Sequence, residues 1–458
     1  MSRLSEETLI LVMIQRIKNK VKVLRTDPHM QEVARGTMLA FALKIVGSSL
    51  AFGFNVAVAR LLGAEGAGLY FLALSVTAIG SVIGRVGLDN ALLRFVATHA
   101  ARGEWGKVQA VHALGMRLAV IVSGVLSLFG FFAAGWMAET LFQKPELAEP
   151  LRWMSLSILP FAILNLQAES LKGLKRLREA MLLQSIGVPL IGLLLIWSLA
   201  SIAGVEGVSW GYLVATTMVA LLGIWAWRSA CGGDAEDASR YPFVDLWVSA
   251  KPLFIIALMN TSLTWLPMLV LGVWVSAAEV GVFGAANRLA LLVSFLLVTL
   301  NNVVAPKFAE LHAKDDLKAM GQLARRSAAM LTLLASPLFL LLFIFSEKIM
   351  GLFGPEFASG GTVLAILLVG QVINVYTGSV RFLLIMSGNE KTIRNIIIIS
   401  ALLQLALVMT LVPLIGIIGA AIATVSALIT MNLTSVYAVY RKLGVITTPG
   451  LQAFLRGK

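Results

Sequence analysis

Apolar runs of about twenty residues recur along the whole chain, and this repetition constrains the fold more than any single motif. At about 1.5 Å of rise per residue, each run crosses a hydrocarbon core about 30 Å thick as a helix. The apolar residues within a run are continuous and do not alternate, so the runs are helices and not barrel strands. Of the 458 residues, 58% are hydrophobic and 13% charged, more apolar sequence than one water-soluble core uses. The chain therefore reads as an all-α polytopic membrane protein.

Twelve spans are predicted. Six lie at about 37–62, 67–88, 111–134, 151–170, 180–203 and 207–228, and six more at about 248–275, 280–304, 327–346, 362–387, 395–415 and 417–440. The net charge of +13 follows topology and does not indicate nucleic-acid binding. Basic residues fall in alternate loops: Lys172, Lys175, Arg176 and Arg178 after span 4, Arg228 and Arg240 after span 6, and Lys307, Lys314, Lys318, Arg325 and Arg326 around spans 8 and 9. Lys391 and Arg394 follow span 10, and Arg441 and Lys442 follow span 12. The intervening loops carry Glu65, Glu139, Glu146, Glu149, Glu206, Glu279 and Glu356. By the positive-inside rule both termini are cytoplasmic.

Residues 1–30 read as an amphipathic helix on the cytoplasmic membrane surface, ahead of any span. Leu9, Met13, Ile17, Val21 and Leu24 form its apolar stripe, and Arg16, Lys18, Lys20, Lys22 and Arg25 supply charge for anionic lipid. No cleavable signal pattern is visible. A single cysteine, Cys231, cannot form an internal disulfide. His29, His99, His112 and His312 show no metal-ligand spacing, and no phosphate-binding G-x-x-x-x-G-K-[ST] occurs, so neither metal nor cofactor is expected.

The chain also repeats itself. Gly68-Leu69-Tyr70 recurs as Gly281-Val282-Phe283, and Arg94-Phe95 with His99-Ala100 recurs as Lys307-Phe308 with His312-Ala313, all at an offset of 213 residues. LFQKPELA from Leu141 resembles LFGPEFA from Leu352, and Gly204-x-x-Gly207 resembles Gly416-x-x-Gly419. Each repeat is a six-helix unit. An even number of spans starts both units on the same side, giving two parallel bundles around a central cavity. Residues 31–229 form the first bundle, 230–246 a cytoplasmic linker containing Gly232-Gly233 and Asp234-Ala235-Glu236-Asp237, 247–442 the second bundle, and 443–458 a cytoplasmic tail.

Several stretches, in this order, resemble the oligosaccharide-lipid and polysaccharide exporters, the O-antigen and exopolysaccharide flippase branch of the multidrug/oligosaccharidyl-lipid/polysaccharide superfamily. They are Ala34-Arg35-Gly36-Thr37, ARLLGAEGAGLYFLAL from Ala59, and Gly416-x-x-Gly419-Ala420-Ala421. The resemblance covers the chain after about residue 30. It implies a flippase of the bacterial cytoplasmic membrane that moves polyprenyl-pyrophosphate-linked saccharides outward. The expected partners are membrane lipids, the saccharide lipid itself and polysaccharide assembly proteins.

The intramembrane polar residues are read independently of that resemblance. A charge at the centre of a span costs about 2.5–3.5 kcal/mol on insertion scales, so such residues usually face a wet cavity or a partner. Lys44, Ser48 and Asn55 share a face of span 1, and Ser81, Arg85 and Asp89 follow at four-residue steps to the end of span 2. Asn260 and Thr264 in span 7, Asn287, Arg288, Ser294 and Asn301 in span 8, and Gln371, Asn374, Thr377 and Arg381 in span 10 complete one candidate cationic chamber. Bland readings stand beside this one: Lys44 can snorkel to the interface, Arg85 and Asp89 can pair with each other, Arg288 and Arg381 can anchor at the two surfaces, and the amides can join helices.

The sign of these charges separates substrate classes. Span 1 carries Lys44 and no acid, and the acids near span interiors are Asp89 and Glu169, whereas a cation-coupled antiporter is expected to bury carboxylates. A pyrophosphate suits Arg forks and Lys point charges. A membrane enzyme acting on lipid-linked saccharides is the remaining alternative. It is disfavoured because the predicted outer connections are short, and the expectation is a transporter that is not an enzyme. Gly80, Gly84, Gly87 and Pro267 are candidate bending points.

Overall fold

The computed structural model describes residues 28–231 and 241–448, and every regular element among them is helical. Most of the predicted surface helix, most of the linker and the end of the tail lie outside the described residues. α1 (Pro28–Arg85) folds at Gly63, where φ is 67°. α2 (Leu88–Ala101) and α3 (Trp105–Trp136) follow. α4 (Ala148–Leu156) and α5 (Ile158–Gly173) come next, then α6 (Leu177–Met181) leads into α7 (Val188–Ala230), which folds at Ala203–Gly204. The second half comprises α8 (Phe243–Trp274), α9 (Ala277–Ala313), α10 (Leu317–Ile344), α11 (Ser346–Met350), α12 (Gly361–Thr377), α13 (Val380–Met386) and α14 (Glu390–Leu443). Among the described residues, nine helical segments are long and apolar enough to cross a membrane. The protein is a multi-pass membrane protein.

The internal repeat is visible in the backbone. Ala203 and Gly204 have φ/ψ of −138°/21° and 53°/−125°, and Ile415 and Gly416 have −135°/20° and 57°/−135°. The positive φ requires glycine, and each turn is closed by a second glycine three residues on, packed against a carbonyl of the preceding leg.

Three predicted spans are interrupted. The polar face that was to continue from Arg85 to Asp89 on one helix breaks at Val86 and Gly87, both with positive φ, because the Gly87 backbone lies against the Ala250 carbonyl of α8. A β-carbon on Gly87 would stand 2.4 Å from that oxygen. Predicted span 4 breaks at Ser157, between α4 and α5, and predicted span 10 breaks at Gly378, where φ is 68°.

One hydrophobic cluster lies within the C-terminal half, a second is built mainly from the N-terminal half, and a third bridges the halves. The bridging cluster contains Tyr70 and Phe71 from α1, Phe283 from α9, and Phe353 and Phe357 ahead of α12. Leu246 and Ala250, from the start of α8, are buried in the N-terminal half's cluster.

The halves meet closely where the repeat pairs Gly68 with Gly281. A β-carbon on Gly68 would lie 1.8 Å from the Ala277 oxygen, and one on Gly281 would lie 2.0 Å from the Ala64 oxygen. The contact is reciprocal and admits no side chain. Around it, at the end of the molecule that carries the acidic loops, side chains reach across to backbone groups. Arg60 Nε donates to the Leu352 oxygen at 2.8 Å, and Lys144 Nζ donates to the Gly272 oxygen at 2.7 Å. Glu356 Oε2 accepts from the Ala64 amide at 2.7 Å. Gly63 has no side chain to cap the second leg of α1, so the opposite half supplies the carboxylate that satisfies an N-terminal amide. The corresponding start of α9 caps itself, with Ser276 and Glu279 forming a capping box.

Gly281→Ala should destabilise the protein by about 1–3 kcal/mol, since the methyl group meets backbone and not a yielding side chain. Gly124→Ala, where an added methyl finds nothing within 4 Å, should leave stability unchanged or slightly raised. Thermal unfolding of both purified variants in detergent checks the contrast.

Candidate functional site

Helix periodicity places polar residues on a common face, but packing decides which of them meet. In the C-terminal half, α8, α9, α12, α13 and α14 surround a cavity of about 270 Å³. Seven of the predicted residues line it: Asn260, Thr264, Asn287, Ser294, Gln371, Asn374 and Arg381. Gln404 and Thr424 join them. No Asp or Glu is among the described lining residues.

A directed chain of hydrogen bonds crosses this cavity wall. Asn374 Nδ2 donates to Ser294 Oγ at 3.0 Å, and Ser294 Oγ donates to Gln371 Oε1. Gln404 Nε2 donates to the Leu263 oxygen at 3.1 Å. Asn260 and Thr264 donate back along their own helix, to the Ile256 and Asn260 oxygens. Arg381 directs one N–H toward Met431 Sδ at 3.8 Å and has no carboxylate partner among the described residues. Gln404 was missed by the sequence reading, although a lone glutamine in an apolar helix is itself a signal.

The other predicted residues go elsewhere. Arg288 ties the halves together: its Nε donates to Asn55 Oδ1 at 2.6 Å, its Nη1 to the Gly284 oxygen at 2.9 Å, and its guanidinium carbon lies 3.7 Å from the Phe71 ring centroid. It therefore joins α9 to both legs of α1. Arg85 pairs with Asp89 at 2.7 Å across the Val86–Gly87 turn. Lys44 is exposed on the first leg of α1, with Ser48 half-buried one turn further along.

The charge acting on Lys44 is that of Lys172, which the sequence reading had treated as a loop residue. Lys172 Nζ contacts Glu169 Oε1 at 2.7 Å and Gln184 Oε1 at 2.8 Å. Gln184 in turn donates to Asn165 Oδ1 at 3.3 Å. The buried Glu169 carboxylate is thus held by a lysine within the N-terminal half. The predicted set resolves into a polar C-terminal cavity, an arginine crossbridge, a local ion pair and a lysine-bearing N-terminal cluster. Cys231 stands apart from all of these, and burial pushes its thiol up to about 11, which keeps it protonated and a weak nucleophile.

An all-helical membrane protein of two repeated halves, with internal polar groups and a direct contact between the halves, is a transporter by class. The family model described as "Polysaccharide biosynthesis protein" matches residues 33–312, and the chain belongs to that family. A second family model, MatE, matches residues 252–410. Among curated proteins, the chain is 23% identical over 418 residues to AglR of Haloferax volcanii, named a probable flippase, covering 90% of this chain and 83% of that one. Among solved structures, the fold is similar to an inward-facing multidrug resistance MATE family transporter of the MOP superfamily, with TM-score 0.74, 14% identity and coverage of 89% and 98%. It is similar also to the lipid II flippase MurJ in an inward closed conformation, with TM-score 0.72, 15% identity and coverage of 88% and 87%.

Arg288→Ala should lower stability by about 2 kcal/mol, because it removes charge-assisted bonds and a ring contact that hold the halves together. Arg288→Lys should recover only part of the loss, since an ammonium cannot reach Asn55 and the Gly284 oxygen in one planar fork. The midpoints of thermal unfolding of the two variants check this order.

Proposed function

We propose that the protein is a flippase that moves polyprenyl-pyrophosphate-linked saccharide units from the cytoplasmic to the outer face of the cytoplasmic membrane, for cell-surface polysaccharide synthesis. The observation that carries this reading is the sign of the internal charge. Arg381 lines a polar cavity without an acid, and the carboxylates nearest the polar clusters, Asp89 and Glu169, are each taken up by a basic neighbour. Such an interior suits an anionic substrate better than a cation. Family membership and the resemblance to flippases support the same class.

In this reading the nine apolar segments amount to twelve spans, since α1, α7 and α14 each fold back at a glycine. They form two parallel bundles, with both termini cytoplasmic and the acidic loops outward. The contacts between Gly68 and Gly281, and those of Arg60, Lys144 and Glu356, then close the outer end. Rocking of the halves exchanges that closure for one at the inner end. Lys44, in the cytoplasmic half of span 1 and within reach of the charge on Lys172, meets the pyrophosphate. The saccharide enters the amide-lined cavity, and the prenyl tail stays in the bilayer. Moving about two negative charges outward across about 100 mV, negative inside, gains roughly 4–5 kcal/mol, so the potential itself can drive the step.

Purified protein in liposomes, given a fluorescent polyprenyl-pyrophosphate saccharide, should expose the label to an impermeant quencher faster than empty liposomes do. Lys44→Ala should slow this about tenfold at equal protein abundance, and Lys44→Arg should slow it less. Full activity of a well-expressed Lys44→Ala protein would remove Lys44 from the site, and cation or dye efflux without lipid transfer would overturn the flippase reading.

A further inference from the structure

The start of α10 carries charge that the fold does not require. Between it and the turn after α14, at the end of the molecule opposite the acidic loops, lies a groove of about 640 Å³. Its polar side chains are Lys318, Gln322 and Arg325, spaced four and three residues apart and so on one face of the helix. The facing wall is the segment 443–446, where Gly444 takes a φ of 64°. Arg325 Nη1 donates to the Ile446 oxygen at 2.7 Å, and Val445 packs on Gly321. This wall is thereby tied to α10, and the guanidinium is held at the groove.

No Asp or Glu is among the described lining residues. The acids just ahead of α10 do not serve the groove. Asp316 caps the helix through the Ala319 amide, Glu310 is held by Lys307 and Lys314, and Asp315 forms no ion pair among the described residues. Lys318 and Gln322 have neither hydrogen bond nor ion pair among those residues. The internal repeat offers a comparison. α3 starts as α10 does, with φ/ψ of −83°/63° at its cap Glu104 against −89°/70° at Asp316. Counted from the caps, the positions of Lys318, Gln322 and Arg325 are held in α3 by Gly106, Ala110 and Ala113, so this helix start is built without polar side chains there.

The groove also sits at a definite level. α10 has 28 residues, about 42 Å of helix against a hydrocarbon core of about 30 Å. No charge occurs from Ser327 to Ile344, so the core covers that stretch and the turns bearing Lys318, Gln322 and Arg325 fall in the headgroup layer. Deeper along the same helices, Met330, Leu333 and Leu334 of α10 and Leu433 and Tyr437 of α14 are exposed, where lipid chains run. The anion resident at the level of the groove is a lipid phosphate.

We propose that the groove binds the phosphodiester of an anionic phospholipid between Lys318 and Arg325, with a headgroup hydroxyl on the Gln322 amide. Both cations repel a metal ion, and phosphatidylcholine brings its own ammonium against them. The site is separate from the internal cavity and from the transported lipid.

Native mass spectrometry tests this on the full-length protein in detergent, titrated with phosphatidylglycerol, with phosphatidylcholine of the same chains, or with inorganic phosphate. One phosphatidylglycerol should stay bound where phosphatidylcholine does not. Lys318→Gln and Arg325→Gln should each weaken its binding about fivefold, and together about 25-fold, while Arg325→Lys keeps most of the affinity. Arg326→Gln removes the same charge from an exposed neighbour outside the groove and should leave the affinity within about twofold. Lys318 is exposed, so its variant probes the site without disturbing the fold. Equal weakening by Lys318→Gln and Arg326→Gln, or equal retention of the two phospholipids, overturns the site in favour of diffuse surface charge. Inorganic phosphate that binds with the same residue dependence and displaces phosphatidylglycerol at equal concentration overturns the lipid as its ligand. No prenyl lipid enters the measurement, so either failure leaves the flippase reading standing.

Discussion

The structure depends on a crossing of two helices at which no side chain can stand. Gly68 and Gly281 each face the other half's backbone at a distance that excludes even a methyl group. They correspond to each other in the internal repeat, so the two halves touch on their own axis of similarity. In a membrane, helices gain little from burying apolar surface against one another, because lipid is as apolar as leucine. Close backbone approach supplies dispersion contacts instead, and it brings polar groups from one half within reach of the other. The Glu356 cap on Ala64, the Lys144 bond to Gly272 and the Arg288 bridge to Asn55 all lie within helices and turns that this crossing brings together. Most of these bonds end on backbone atoms, which are positioned by the fold and not by rotamer choice.

Much of this was legible in the sequence, for identifiable reasons. Continuous apolar runs specify helices directly, because a spanning segment must satisfy its own backbone. The Gly204 and Gly416 turns announced themselves by recurring in register, and their dihedral angles agree within about ten degrees. Gly87 was read as a candidate bending point and the chain does turn there, but the breaks at Ser157 and Gly378 were not legible. At Gly87 the cause is a carbonyl from α8, distant in sequence, and hydropathy carries no information about such a neighbour.

The polar residues show the same limit. Periodicity gave each residue a face but not an opposite number, so one chamber was drawn where the structure makes several places. Seven of its residues do gather around the C-terminal cavity. Arg288 was read as a substrate or surface residue and instead spans the halves, because Asn55 and Phe71 are presented to it by a helix more than two hundred positions away in the chain. Lys172 looked like a topological charge in a loop, yet its stem folds back along α5 to Glu169, one turn earlier, and meets Gln184 from the next segment.

The way the charges are partnered bears on function more than their number does. Arg85 and Lys172 each have an acid three or four residues away on the chain, and Arg288 has an amide, a carbonyl and an aromatic face. The chain therefore neutralises an intramembrane cation cheaply where it does so. Arg381 and Lys44, one in each half, have no such acid. Leaving a cation unpaired in a span costs a few kcal/mol on insertion scales, while one carboxylate a helical turn away would offset much of that. In the proposed reading, an anionic substrate would provide the offset only while bound, which would tie the favourable electrostatics to occupancy. For a carrier that must release its cargo on the far side, a modest and conditional attraction serves better than a permanent ion pair, because a substrate held too tightly would not leave.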